Sequence, residues 1–379
     1  MVILSRADLK HYRRWGRAFA SQRKDFRYYE IVEDTLQNEF DYRYFAITGR
    51  DGEVRAIQPF FILDQDILIG ASPRIGPIIA LVRRAWPRFM RIRTLMIGCA
   101  AGEGHLDGDD RLAQQSHARI LASDIAAHAR TLKASLIVLK EFPAQYRVAL
   151  TCFERCGFTR VPSLPMTKLN IDYQSFDEYM KRALNSATRS KLRKKFRIAA
   201  QASPIDMTVV DDVTPFIGEI YPLYLQVYER SKLHFEKLTA AYFCRIGRQM
   251  SDKARFFIWR QDGKIIAFAL CMVEGDAAYA EYVGFDYAVA LELHLYHFVV
   301  RDLMTWAIGN GYKCFRSSGL NYDPKLHLRH LLDPIDLYVR HTSRLVNLVL
   351  KWMLPLIEPT RYDKTLRKFS NYEELWGRP

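Results

Sequence analysis

Several absences narrow the chemistry of this 379-residue chain. No window reaches the eighteen or more apolar residues of a membrane-spanning helix. The N-terminus MVILSRADLKHYRRWGRAF has no continuous apolar core followed by a small-residue cleavage site, so no secretory leader is expected. Six cysteines (Cys99, Cys152, Cys156, Cys244, Cys271, Cys314) are scattered without a C-x-x-C pair. Cys152 and Cys156 have no histidine nearby, which argues against a metal site, and no metal is expected. All six read as free thiols of a reducing, cytoplasmic compartment. There is no G-x-x-x-x-G-K and no G-x-G-x-x-G, so nucleotide-binding folds lose ground. Acid is short: 56 Lys and Arg face 42 Asp and Glu, a formal charge of +14. That excess favours an anionic partner: nucleic acid, an anionic membrane surface or a phosphorylated cofactor.

What is present is ample core material, 49% hydrophobic residues, in a length natural for two domains. In the first half, 43–48 and 54–69 alternate or run apolar around Gly49-Arg50-Asp51-Gly52, a hairpin signal. A helix over 111–132, a buried strand over 135–140 and a helix over 144–156 closed by Gly157 follow. Pro162 and Pro165 mark a join to 166–171. The second half repeats this grammar: a basic helical segment 176–202, a strand 206–210, helices 216–230 and 240–250, and a hairpin turning at Asp262-Gly263. RYFAITGRDGEVRAIQPFFIL and ARFFIWRQDGKIIAFALCMV look equivalent, a weak internal repeat. The expected fold is therefore α/β (α+β), two tandem domains, each a mixed sheet flanked by helices. The boundaries read as 1–165, 166–335 and a helical extension 336–379.

The stretch from Ala278 to Gly311 carries the most information. An aromatic strand ends at Gly284 and Asp286 and is expected to hand over by a tight connection to a long amphipathic helix. Such a junction makes an anion site, because the first N–H groups of a helix lack internal partners and the dipole is positive there.

The tandem architecture, the DGKIIAFAL hairpin and the YVGFDY strand before a long helix resemble the Fem-type branch of the GNAT acyltransferases. Bacterial acyl-CoA N-acyltransferases, including ceramide synthase-like enzymes, are among its relatives. The resemblance covers the chain to about residue 325. It implies acyl transfer from a thioester or ester donor to an amine, with the donor in the second domain. It also implies that acyl-CoA acts as co-substrate rather than as a tightly bound cofactor. Carried over, Tyr282, Gly284 and Asp286 match the strand, and Ala288, Val289, Ala290 and Leu291 match the turn that would hold pyrophosphate, with Tyr296 following. Val289 and Leu291 stand where that loop carries glycine, and Fem-type relatives that use aminoacyl-tRNA also lack the glycine-rich loop.

Amine acylation needs a base and carbonyl-polarising donors. Three clusters offer them. Glu103 and His105 lie in GEGHLD, where glycines permit close backbone approach; the alternative is a polar turn. His234 and Glu236 flank Phe235 between two helices; the alternative is capping and surface charge. Glu281 stands in an otherwise apolar strand, on the opposite face from Tyr282, where burial would raise its carboxyl. His294 and His297 share a helix face and read as core histidines.

Eight Lys and Arg with no acid run from Lys181 to Arg197, with Arg189, Lys191, Arg193, Lys194, Lys195 and Arg197 at their centre. They suit phosphate or anionic lipid, or simply a solvated helix face. Arg83–Arg93 interleaves five arginines with Trp86, Phe89 and Met90. Arg344–Ile357 is nearly all apolar, an interfacial anchor or a core helix. Together they favour a peripheral enzyme at the inner face of the cytoplasmic membrane. The leading expectation is an N-acyltransferase taking acyl-CoA to an amine of a lipid or envelope precursor, a sphingoid base being one candidate. An aminoacyl-tRNA-dependent transferase extending a peptidoglycan-type precursor is the second. A non-catalytic membrane or nucleic-acid binding protein is the third.

Overall fold

A computed structural model describes residues 1–36, 38–49, 51–66, 91–231 and 235–377. Strands β1 (Val2–Leu4), β2 (Asp41–Thr48), β3 (Val54–Asp66), β4 (Arg91–Ile97), β5 (Leu136–Pro143) and β6 (Thr159–Pro162) belong to a first sheet. Strands β7 (Met166–Asn170), β8 (Ile205–Val210), β9 (Ala254–Gln261), β10 (Lys264–Glu274), β11 (Ala277–Phe285), β12 (Cys314–Ser317) and β13 (Leu331–Asp333) form a second. The last strand, β14 (Ile335–His341), returns to the first sheet.

The orders are β1-β2-β3-β4-β5-β14-β6 and β8-β9-β10-β11-β12-β7-β13. Strand for strand they are the same arrangement. Each has an antiparallel run, one parallel pair (β4·β5; β11·β12), an inserted antiparallel strand and an edge strand. The inserted strands are exchanged. β7 follows β6 but enters the second sheet, and β14 follows β13 but enters the first. Pro165 and Pro334 sit at the two crossings, where extended backbone without a free N–H is suited to leave a ladder. The segment 336–379 is thus not purely helical: its first residues are an interior strand of the opposite half, because the first sheet's gap between β5 and β6 accepts them.

Ten α-helices occur among the described residues: α1 (Phe26–Leu36), α2 (Arg111–Thr131), α3 (Arg147–Arg155), α4 (Phe176–Ala183), α5 (Ser186–Gln201), α6 (Ile217–Arg230), α7 (Ala240–Gln249), α8 (Leu295–Gly309), α9 (Tyr322–His327) and α10 (Arg344–Ile357). The basic segment read as one helix is two. Asn185 breaks it and caps α5, its Oδ1 accepting the Thr188 N–H at 2.8 Å.

Strand alternation sorts the core. Phe45, Ile47, Phe60, Leu95 and Ile97 pack under α2 and α3 on the outer face of the first sheet. Trp259, Ala267, Ala278 and Phe285 pack under α4, α5 and α8 on the outer face of the second. A third cluster joins the halves: Tyr28, Tyr29, Tyr44, Phe61 and Met96 from one meet Tyr242, Phe243, Phe268 and Leu270 from the other, with α1, α6 and α7 between.

Candidate active site

Between the halves lies a buried charge cluster that begins in a loop with no motif. Arg23 and Lys24, just before α1, are 1% and 0% exposed. Arg23 Nε donates to Glu281 Oε1 at 2.6 Å, its other end pairs with Glu103, and its backbone N–H donates to Glu274 Oε2 at 2.8 Å. Its guanidinium lies 3.7 Å from the centre of the Tyr279 ring. Lys24 Nζ lies 2.7 Å from Glu103 Oε2 and 3.4 Å from Glu281 Oε2. Two cations thus face two carboxylates, the compensation that buried charge requires. His105 adds Nε2 at 3.1 Å from Glu103 and Nδ1 at 3.2 Å from the Tyr146 hydroxyl.

This geometry revises two expectations. Burial alone would raise the Glu103 carboxyl, but Arg23 and Lys24 hold it well below the ordinary range, so it stays an anion. The glycines around it do admit a close approach, but of Lys24: a Cβ at Gly102 (φ +87°) would lie 2.1 Å from Nζ. Glu281 does not alternate simply with Tyr282. The β10–β11 register slips between Leu270, opposite Tyr282, and Cys271, opposite Ala280, so Glu281 is the extra residue of a bulge. Its charge is answered by Arg23 and Lys24 rather than left in apolar surroundings.

Glu236 behaves differently. It is half-buried between α6 and α7, and the Tyr282 hydroxyl donates to Oε1 at 3.4 Å. Burial raises its carboxyl to about 7, only partly offset by Lys140. Lys140 itself donates to Gly102 O at 2.8 Å and to Glu141 Oε2 at 2.7 Å, and sits 4.9 Å from the Phe235 ring centre. Tyr28 and Tyr242 share a 2.8 Å hydroxyl contact beside this group, and Tyr242 packs edge-on to Tyr282. Lys232, Leu233 and His234 lie outside the described residues, so the expectation for His234 does too.

The strand-to-helix junction is not the tight connection that the sequence led one to expect. α8 begins at Leu295, with nine residues (286–294) between it and β11, behind His294 in the left-handed region (φ 52°). Three of the intervening N–H groups turn inward: Ala288 N–H donates to Asp286 Oδ1 (3.0 Å), and those of Val289 and Ala290 to Asp286 O (3.1 and 2.8 Å). Asp286 is buried, which would raise its carboxyl, but its bond from Lys264 (2.6 Å) lowers it below the usual value. Gly284 serves packing: a Cβ there would meet the Phe268 ring at 2.3 Å and the Leu223 backbone at 2.7 Å. Leu291 is exposed, and Tyr296 is half-buried against the outer core.

An open cleft of about 460 Å³ lies instead between α5, α9 and the first turn of α8, lined by Lys191, Leu192, Lys195, His297, Asp323 and His327 among others. Lys195 Nζ is 2.8 Å from His297 Nε2; burial, then Lys195, lowers His297 to about 4, so it is a neutral acceptor. Arg189 is tied to Leu184 O at 2.6 Å, while Arg193, Lys194 and Arg197 are exposed on α5. On the strand between cleft and Glu236, β11 and β12 are paired only from Ala277/Cys314 to Ala280/Ser317, and β11 continues unaccompanied on that side to Phe285. Ala280 and Val283 face the cleft-side core, and Tyr282 faces the Glu236 side. Of the Arg83–Arg93 patch, only residues 91–93 are described, and Trp86, Phe89 and Met90 lie outside the described residues. Sequence reasoning missed Arg23, Lys24 and Lys140: a Q-R-K-D run reads as surface, and only the closure of one half on the other buries it.

Two solved structures share this architecture. FemX matches with a TM-score of 0.55, 12% identity, 93% of this chain and 100% of that one. L-PGS from Bacillus licheniformis matches with a TM-score of 0.51, 12% identity, 88% of this chain and 96% of that one. Two Mycobacterium tuberculosis proteins, from strains CDC 1551 / Oshkosh and ATCC 25618 / H37Rv, are 23% identical over 369 residues. They are provisionally named 8-amino-7-oxononanoate synthase 2. The match takes in 90% of this chain but 46% of theirs, so the chain spans about half the length of these curated relatives. Residues 103–326, more than half of the chain, match one family throughout, and on that match the chain belongs to the FemAB-like family, described by its role in peptidoglycan biosynthesis/recognition.

Proposed function

We propose that the chain is an N-acyltransferase whose base is Glu236. The observation that carries this reading is a carboxyl raised to about 7, half-buried between the halves and next to Tyr282. A base poised near the working pH is what deprotonation of an ammonium requires. The seat proposed for the donor's phosphates is the cleft lined by Lys191 and Lys195, and that proposed for its acyl end is the unaccompanied part of β11. The amine enters from the Glu236 side. Glu236 takes one proton from the ammonium and passes it to water. The neutral nitrogen then forms the bond to the carbonyl carbon and gives its next proton to Glu236, and the carbon–sulfur bond breaks, the departing thiolate taking that proton from Glu236. The donor proposed is acyl-CoA, used as co-substrate. The acceptor proposed is an amine of a lipid or envelope precursor, a sphingoid base being the first to try.

The family match favours one second reading, an aminoacyl-tRNA donor with the basic face of α5 on RNA. Melting curves with palmitoyl-CoA, acetyl-CoA and free coenzyme A, followed by mass spectrometry of long-chain amine reactions, separate the two. A stabilising shift with the long-chain thioester and an amide product support the first reading. No shift and no amide, with ribonuclease-sensitive aminoacyl transfer, establish the second.

A further inference from the structure

The last long helix turns the wrong face to water. On α10, Leu345, Leu348, Val349, Trp352, Met353 and Leu356 follow the i, i+3, i+4, i+7 spacing of one helix face. In an ordinary surface helix that stripe faces the core. Here the six are 47–79% exposed, and Trp352 is 73% exposed. The opposite side is the one that docks. Asn347 Nδ2 donates to Gly157 O at 2.9 Å, its Oδ1 accepts the His341 N–H at 2.8 Å, and Leu354 packs on the shared core. The helix is fixed by a polar anchor and β14, with its apolar stripe outward.

We infer that this stripe is a docking surface for an anionic lipid bilayer. The charge around it fits that occupant. From Leu337 to Ile357 there is no Asp or Glu, while Arg340, Arg344 and Lys351 lie on or beside the helix. Arg344 and Lys351 are exposed at its start and middle. The chain as a whole carries +14. Fourteen residues give a rod of about 21 Å, too short to cross the hydrocarbon but well suited to lie in the headgroup plane, with an indole at the interface. Cations around an apolar stripe add attraction to anionic headgroups that neutral lipid does not supply.

The inference stands apart from the transfer reading, because it is tested with no donor or acceptor present. The full chain is spun with vesicles of phosphatidylcholine, with and without phosphatidylglycerol. Expected is binding to the phosphatidylglycerol vesicles, weakened but not abolished by high salt. The Leu348→Glu/Trp352→Glu variant should bind at least tenfold more weakly with an unchanged melting curve. Leu112→Glu, at an exposed leucine of α2, should bind as the parent does. If the double variant fails to fold, Arg344→Glu/Lys351→Glu takes its place, with the same weakening expected on anionic vesicles. The inference is overturned if the parent ignores both vesicles or the folded variants bind as well as the parent. It is also overturned if the stripe joins two copies of the chain, seen as a dimer in sedimentation that the double variant abolishes while vesicles capture nothing.

Discussion

Glu236 and Glu103 are both carboxylates between the two halves, and their protons respond in opposite directions. Burial lifts Glu236 to about 7. Its folded value exceeds the unfolded one near 4.3, so its ionisation increasingly opposes folding as pH rises from about 4 to about 7. Glu236→Gln is expected to raise the melting temperature at pH 8 while lowering turnover roughly 10²- to 10⁴-fold. The parent's rate should climb with pH through about 7, and a rate that is flat there would remove Glu236 as the base. Glu103 has the opposite sign: Arg23 and Lys24 overcome burial and hold it low. Its contribution is present above the unfolded value near 4.3 and is lost as pH falls below that. Acid unfolding of the parent should therefore be steep below pH 4 and displaced in Glu103→Gln. Arg23→Met leaves two buried carboxylates facing one lysine and should cost about 3–5 kcal/mol in denaturant unfolding.

At the scale of elements, much was legible because strands and helices print their periods. The D-G hairpin at Asp262-Gly263, the helix over 111–132 and the aromatic strand from Ala278 all follow from alternation, periodicity and turn residues. The features that shape the site do not. The bulge at Glu281 depends on how β10 registers against β11, and the turn 286–294 depends on Asp286 meeting Lys264 across the sheet. Gly284 looked like part of a ligand loop because small residues at strand ends read the same whether a phosphate or a helix comes close. Here it is α6 that comes close. Gly284→Ala should cost about 1–3 kcal/mol by overpacking, read in thermal melts, with no change in donor affinity in the folded fraction. Asn185→Ala should cost about 1 kcal/mol through loss of the α5 cap.

For the molecule as a whole, the weak repeat in sequence announced two similar halves but not their interdependence. Sheet membership is a long-range property, and nothing local in 166–170 or 335–341 says which sheet each joins. Because each half holds a strand of the other, and one core cluster spans both, the two should melt in a single transition. A chain ending before Ile335 should lose protection from hydrogen exchange in β5 and β6, not merely at its new end. The exchange also has a consequence for synthesis. β14 emerges roughly 170 residues after β6. At an elongation speed of about 5–20 residues per second the first sheet therefore waits on the order of 10–35 s with the flanks of β5 and β6 unpaired. Unpaired strand edges are aggregation-prone throughout that interval, and slowing translation between the two strands should lower the yield of folded protein.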